Sequence, residues 1–170
     1  MTIRRVVLAT ALLLTSLVLQ LVVVNRWHLP GGGPFLMLLV VVSLAAVWGP
    51  MPGTVVGFAA GAILDVAPPA DGPMGLWAGV LCLAGYAAGL VWLDQRRPVW
   101  IWLVLVAVTS AAVVVVYAGV SALVGDPRVA AAGVLGLIIG TVLYDLLLTP
   151  FVVPGVAALA RRVDPAPSIR

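Results

Sequence analysis

The stretch GTVVGFAAGAILD, residues 53–65, places a glycine at every fourth position and ends the series with an acid. In an α-helix, four residues turn the chain by about 400°, so positions four apart lie on the same face. Gly53, Gly57, Gly61 and Asp65 therefore form one stripe along a helix. Since small residues let helix backbones approach closely, the stripe predicts a tightly packed face that also accommodates a carboxylate.

The whole chain has the composition of an integral membrane protein. Of its 170 residues, 64% are hydrophobic and 9% are charged, whereas soluble domains carry about 25% charged residues. Residues 6–24 and 99–125 contain no charged side chain, and apolar runs of about 18 residues or more can cross a bilayer. We expect a single all-α transmembrane domain over residues 1–163 and a disordered cytoplasmic tail at 164–170.

The charged and reactive side chains argue against several classes of function. The net charge of +3 is the balance of nine arginines and six aspartates. The arginines lie at predicted helix ends, which is typical of membrane orientation rather than nucleic-acid binding. One histidine and one cysteine are too few for a metal-ligand cluster, and no Ser-His-Asp grouping is evident. We therefore expect no catalytic residue, metal, cofactor or nucleic-acid partner, and we expect that the chain is not an enzyme.

Six helices are predicted, at about residues 6–25, 34–48, 52–66, 74–93, 99–124 and 129–149. The first is read as an uncleaved helix, because no small-x-small cleavage site follows it. A single helix over residues 34–66 would be about 50 Å long, against a hydrocarbon core of about 30 Å. The prolines of WGPMPG, residues 48–53, favour a turn between two short helices instead. Two further prolines, Pro150 and Pro154, are expected to end the sixth helix.

The distribution of arginine predicts the orientation of this bundle. With six helices and a cytoplasmic N-terminus, seven of the nine arginines lie on the cytoplasmic side. Five helices would move Arg96 and Arg97 to the opposite side. Because arginine and lysine concentrate in cytoplasmic loops, we expect six spans with both termini in the cytoplasm.

Further small-residue pairs follow in the fourth and sixth predicted helices. The fourth helix carries the pairs Gly75/Gly79 and Gly85/Gly89. The sixth carries Gly133, Gly136 and Gly140. Such pairs mark close helix contacts in lipid, where hydrophobic burial alone contributes little. Two interpretations stay open: the glycine faces pack against each other inside the protein, or they bind the transmembrane helix of a partner.

Two acids, Asp65 and Asp145, are predicted at membrane depth, where carboxylates are costly and indicate function by default. Asp65 is expected toward the outer end of the third helix, and Asp145 in the inner third of the sixth. This difference in height argues against a paired-carboxylate site. We expect Asp65 to accept hydrogen bonds that fix its helix end and the next loop; the alternative is a solvated helix end. For Asp145, the alternative to a functional role is a hydrogen bond to a neighbouring helix, through Thr149 or Tyr144.

Three blocks of sequence resemble the family of the rod shape-determining protein MreD. They are WGPMPGTVVGFAAGAILD at 48–65, PPADGPMGL at 68–76 and GYAAGLV at 85–91. Family members have about this length, lie entirely in the membrane, and share a Gly-rich segment that ends in Asp and is followed by a looped glycine. The matching positions are Gly53, Gly57, Gly61, Asp65, Gly72 or Gly75, Gly85 and Gly89. The resemblance covers about residues 34–93, and elsewhere only length and hydropathy agree.

The resemblance implies a non-enzymatic membrane subunit of the bacterial cell-elongation machinery, which synthesises peptidoglycan in rod-shaped cells. The implied location is the bacterial cytoplasmic membrane. The implied partners are MreC, bound through transmembrane and outer-face surfaces, together with RodA, a class B penicillin-binding protein, the MreB filament and membrane lipid. The family is also similar in fold to the substrate-binding S components of energy-coupling-factor vitamin transporters.

An S component of a vitamin transporter is the alternative function. It would need a polar pocket open to the outside, and the predicted outer loops offer few polar side chains for one. They are Arg26, His28, Asp65 and Asp71. A small-molecule permease would bring more polar residues near the midplane or an internal repeat, and the sequence has neither.

Overall fold

The computed structural model describes residues 2–24, 33–67, 74–90, 99–124 and 134–163, and all regular structure in them is helical. Six α-helices follow in order: α1 Ile3–Leu19, α2 Leu36–Trp48, α3 Pro50–Val66, α4 Leu76–Leu90, α5 Val99–Val124 and α6 Val134–Val163. A π-helical turn, Gln20–Val24, extends α1. The predicted tail at 164–170 and the loop arginines lie outside the described residues.

Three helical segments are long and apolar enough to cross a membrane: Ile3–Val22, Trp100–Val120 and Leu135–Val163. The other three helices are also apolar but have at most 17 residues. The expectation of an all-helical membrane protein is confirmed to this extent.

The short helix α2 forms the centre of the core. Its 13 residues extend about 20 Å, less than the thickness of a hydrocarbon core. Side chains all around it are buried, from Met37 to Trp48, with Val47 partly buried. A helix that is apolar on every face is stable only inside a protein or membrane. Here the other helices enclose α2 and pack their inner faces against it.

The stretch at 34–66 is two helices, separated at one residue. Gly49 has φ 91°, which side-chain-bearing residues rarely adopt, and its N–H still donates to the carbonyl of Ala45 at 2.8 Å. Pro50 then begins α3, a first-turn position where proline loses no helical hydrogen bond. The change of direction therefore depends on a Gly-Pro pair.

Contacts along the helices establish their directions. The Arg5 guanidinium lies 5.7 Å from the ring centre of Trp48, and the Ser16 hydroxyl donates to the sulfur of Met37 at 3.2 Å, so α1 and α2 are antiparallel. We call the two ends of the bundle the Trp48 end and the Phe35 end. Asp145 contacts the backbone of Phe35, and the buried stripe of α6 continues from there to Ala160. Helix α6 therefore runs in the same direction as α2.

Helix α6 corrects one expectation, because it does not end at Pro150. It continues through Pro150 and Pro154 to Val163. Each proline removes one N–H donor, but Val153, Val156, Ala157 and Ala160 are buried beyond the first proline. In membrane helices, packing against neighbours commonly compensates for proline. The apolar stripe thus decides the length of α6, and the prolines do not.

Candidate functional site

The glycine stripe of α3 lies against the backbone of α4. A Cβ atom added at Gly57 would collide with the carbonyl of Leu81, and one at Gly61 with the carbonyl of Trp77. At Gly53 it would lie 2.5 Å from the carbonyl oxygen of Gly85. These distances are shorter than any real Cβ contact, so only glycine permits this approach. Five predicted packing residues thus form one internal antiparallel contact: Gly53, Gly57, Gly61, Gly85 and Gly89.

The other two predicted glycines of α4, Gly75 and Gly79, lie outside this contact. No described atom is within 4 Å of a Cβ added at either position. Gly75 has φ 89° and immediately precedes the helix, so its role is conformational. Gly79 is exposed on the face of α4 that points away from α3. Spacing by four residues therefore does not by itself identify the packed face.

Asp65 joins the end of α3 to the beginning of α4. Its Oδ1 accepts the N–H of Trp77 at 3.1 Å, and its Oδ2 accepts the N–H of Ala78 at 3.0 Å. These N–H groups belong to the first turn of α4 and have no acceptor within their own helix. A carboxylate at a helix N-terminus is also favoured by the helix dipole. Asp65 thus acts as an N-cap for α4, supplied by a different helix.

Asp145 has the same role at the beginning of α2. Its Oδ1 accepts the N–H of Phe35 at 2.7 Å, and its Oδ2 accepts the hydroxyl of Ser110 at 2.5 Å. The side chain is 0% exposed. The predicted neighbour Thr149 donates its hydroxyl to the main-chain carbonyl of Asp145, at 2.7 Å, and not to the carboxylate. Asp145 therefore connects α6 with α5 and α2.

Gln20 is a third capping residue, which the sequence analysis missed. Its Oε1 accepts the N–H of Leu36 at 3.0 Å, and its Nε2 donates to the carbonyl of Pro34 at 2.9 Å. Gln20 begins the π-helical turn that extends α1. The sequence could have indicated this role, because Gln20 places an amide within the apolar run at 6–24, and an amide at that depth needs hydrogen-bond partners.

Aromatic contacts connect the two carboxylates into one group. The rings of Phe35 and Trp77 have centroids 5.2 Å apart, and Trp77 stacks on Tyr117 at 4.7 Å. We call Gln20, Phe35, Asp65, Trp77, Ser110 and Asp145 the capping cluster. The predicted height difference between Asp65 and Asp145 was wrong, because α6 extends to Val163 and Asp145 is not near its C-terminal end. Both acids lie toward the Phe35 end, although each binds a different helix.

The hydrogen bonds of the capping cluster limit its chemistry. Ser110 and Asp145 resemble part of a nucleophile and base pair, but both side chains are fully buried, so no substrate reaches them in this arrangement. Within the described ranges, no group of three His, Cys, Asp or Glu side chains is placed to hold a metal ion. The donors to both carboxylates come from the protein itself. The hydrogen bonds of the capping cluster fix the beginnings of α2 and α4.

Comparison of the chain with protein-family models, curated proteins and solved structures finds no match.

Proposed function

We propose that this chain is a non-enzymatic membrane subunit of a bacterial cell-elongation complex, similar to MreD, and that it binds MreC. The observation that carries the proposal is the α3–α4 pair. The segments that resemble the family coincide with this pair, in which Gly53, Gly57, Gly61 and Asp65 each make a specific contact. Because the residues that resemble the family motif all contribute to the packing of α3 against α4, they support a fold shared with that family. The six-helix arrangement of S components would then be shared as well.

Because the glycines pack against backbone inside the protein, fewer surfaces remain on which MreC would bind. Five glycines of the α3–α4 contact already face backbone, so a partner helix cannot use them without separating the pair. The remaining surfaces are the exposed apolar flanks of the two helices, which include Phe58 and Leu83, and the outer end that Asp65 holds. We propose that MreC contacts this end and one flank. RodA, the penicillin-binding protein and the MreB filament would join through MreC or directly.

The proposed orientation places the Trp48 end in the cytoplasm of the bacterial cell. Four described arginines lie in the terminal turns at this end: Arg4, Arg5, Arg161 and Arg162. The positive-inside rule supports a cytoplasmic location for such a concentration of charge. Single cysteines at Pro98 and Asp126, in a Cys82→Ala background, test this orientation with a membrane-impermeant thiol reagent. Labelling of Asp126→Cys but not Pro98→Cys from the outside is expected, and the reverse result would overturn the orientation.

Co-purification with MreC in mild detergent tests the proposed function. The wild-type chain should retain MreC, whereas a panel of vitamins should produce no thermal stabilisation. Asp65→Leu removes the acceptors of both N–H groups in the first turn of α4. It should weaken retention of MreC more than Asp65→Asn does. It should also weaken rescue of rod shape in a deletion strain more than Asp65→Asn does. Gly155→Leu is the control, because its position is open and lies on α6, outside the α3–α4 pair. Binding of a vitamin without retention of MreC would favour the S-component alternative instead.

A further inference from the structure

The exposed apolar side of α3 is shorter than the hydrocarbon core of a bilayer. Its exposed apolar side chains begin at Met51, which is 74% exposed, and end at Val66, which is 73% exposed. At 1.5 Å per residue, these fifteen steps cover about 22 Å. A typical hydrocarbon core is about 30 Å thick.

Both ends of this apolar surface are fixed by the structure. At one end, Gly49 and Pro50 reverse the chain direction, so α3 cannot continue. At the other end, Ala67 leaves the helical conformation, with ψ 134°, and the Asp65 carboxylate is held on the first turn of α4. Helix tilt does not lengthen the surface, since tilting reduces the height that a helix covers.

Other faces of the same protein are longer. On α1, exposed apolar side chains extend from Ile3 to Val22, which is about 28 Å. On α5 they extend from Trp100 to Leu123, about 34 Å. These faces match or exceed a normal bilayer. The protein therefore offers lipid two different hydrophobic heights on different sides.

We propose that the bilayer is locally thinned along α3, where lipid acyl chains shorten or disorder to match an apolar height of about 22 Å. Thinning avoids the alternative, in which acyl chains cover the backbone N–H and C=O groups that helix ends leave without intrahelical partners. The α1 and α5 sides keep the bilayer near its usual thickness. The inference concerns lipid as the partner of this surface and does not depend on the proposed function.

Spin-label depth measurements test the thinning directly. Single cysteines replace Met51 and Val66 on α3, and the exposed Trp100 and Val115 on α5, in a Cys82→Ala background. The two pairs are matched, because each has the same fifteen-residue separation. Each variant is labelled with a nitroxide and reconstituted in phosphatidylcholine with 18-carbon chains. Accessibility to oxygen and to a polar nickel complex then gives the depth of each label.

In these vesicles, both α3 labels should lie at the headgroup boundary. If the Trp100→Cys label lies at one boundary, the Val115→Cys label lies about 22 Å away along α5. Because the hydrocarbon core is about 30 Å thick, the Val115→Cys label should then lie about 8 Å inside the opposite boundary. A label at Met51 or Val66 as deep as the one at Val115 would overturn the proposal.

A second bilayer, with 14-carbon chains, separates local from uniform thickness. The Val115 label should move toward the boundary, while both α3 labels should keep their depth. If the Val66 label moves as far as the Val115 label, thickness is uniform around the protein and the proposal is wrong. Monodisperse elution of each labelled variant shows that the fold is retained.

Discussion

Helices α3 and α4 are held together differently from helices α5 and α6, although both pairs lie in the same apolar environment. In α3–α4, glycines allow backbone to touch backbone along the whole contact, and Asp65 closes one end. In α5–α6, Gly119 and Gly136 face open space, and the side-chain hydrogen bond between Ser110 and Asp145 joins the helices. Small residues thus indicate a contact only where a second backbone lies opposite. A buried polar pair can replace that contact, because an unpaired carboxylate in an apolar interior is costly.

The largest effect is expected from a large side chain in the α3–α4 contact. Gly57→Leu places a branched side chain where the Leu81 carbonyl already lies, so the helices must separate. We expect the free energy of unfolding to fall by more than about 3 kcal/mol, or folding to fail. Thermal unfolding in detergent, followed by circular dichroism, measures the change.

The matched control for this substitution is Gly79→Leu, on the open face of α4. It should not destabilise the protein and, because leucine has a higher helix propensity than glycine, should stabilise it by less than about 1 kcal/mol. Equal behaviour of the two variants would show that the close contact is absent.

A smaller effect is expected at the α5–α6 connection. Asp145→Leu leaves the Phe35 N–H and the Ser110 hydroxyl buried without their acceptor, at a cost of about 2–4 kcal/mol. Asp145→Asn keeps one carbonyl acceptor and should lose about half as much. Unfolding in SDS titrations measures both variants.

A double-mutant cycle measures the interaction energy between Ser110 and Asp145. Ser110→Ala should reduce stability in the Asp145 background but much less in the Asp145→Leu background, since its partner is already lost. Additive effects would contradict the hydrogen bond between these side chains.

At the end of the α3–α4 pair, the loss of the Asp65 cap should cost less than the loss of Asp145. Asp65→Leu removes acceptors from two N–H groups at a partly exposed helix end, for which about 1–2 kcal/mol is expected. Hydrogen exchange of the Trp77 and Ala78 amides should accelerate, while exchange in the middle of α4 changes little. Unchanged protection of both amides would show that Asp65 is only a solvated helix end.

The smallest effects are expected from alanine at the two glycines outside the contact. Gly75→Ala forces a side chain into a backbone with φ 89° and should destabilise the protein by about 1 kcal/mol. Gly79→Ala lies within α4 in open space and should stabilise it by up to about 1 kcal/mol. The opposite signs, measured by thermal unfolding, distinguish a turn glycine from a helix glycine. The same sign at both positions would contradict the assignment of Gly75 to the turn.

Several features of this protein follow from the sequence alone, because they depend on local chemistry. Long uncharged runs require a helical membrane fold, since the backbone must satisfy its own hydrogen bonds in lipid. The Gly-Pro pair at 49–50 breaks a segment too long for one span. The spacing of Gly53, Gly57 and Gly61 predicts one closely packed face, whatever lies opposite.

The partners of these groups are decided by the tertiary structure, because they come from distant parts of the chain. The sequence does not reveal that α4 is the backbone opposite the glycine stripe, nor that Asp65 caps a helix which begins eleven residues later. It placed Asp145 at the wrong height, because two prolines suggested an end where apolar packing continues the helix. Helix type follows largely from local chemistry, whereas the length of α6 depends on packing, and the choice of hydrogen-bond acceptor depends on which helix ends meet in the folded bundle.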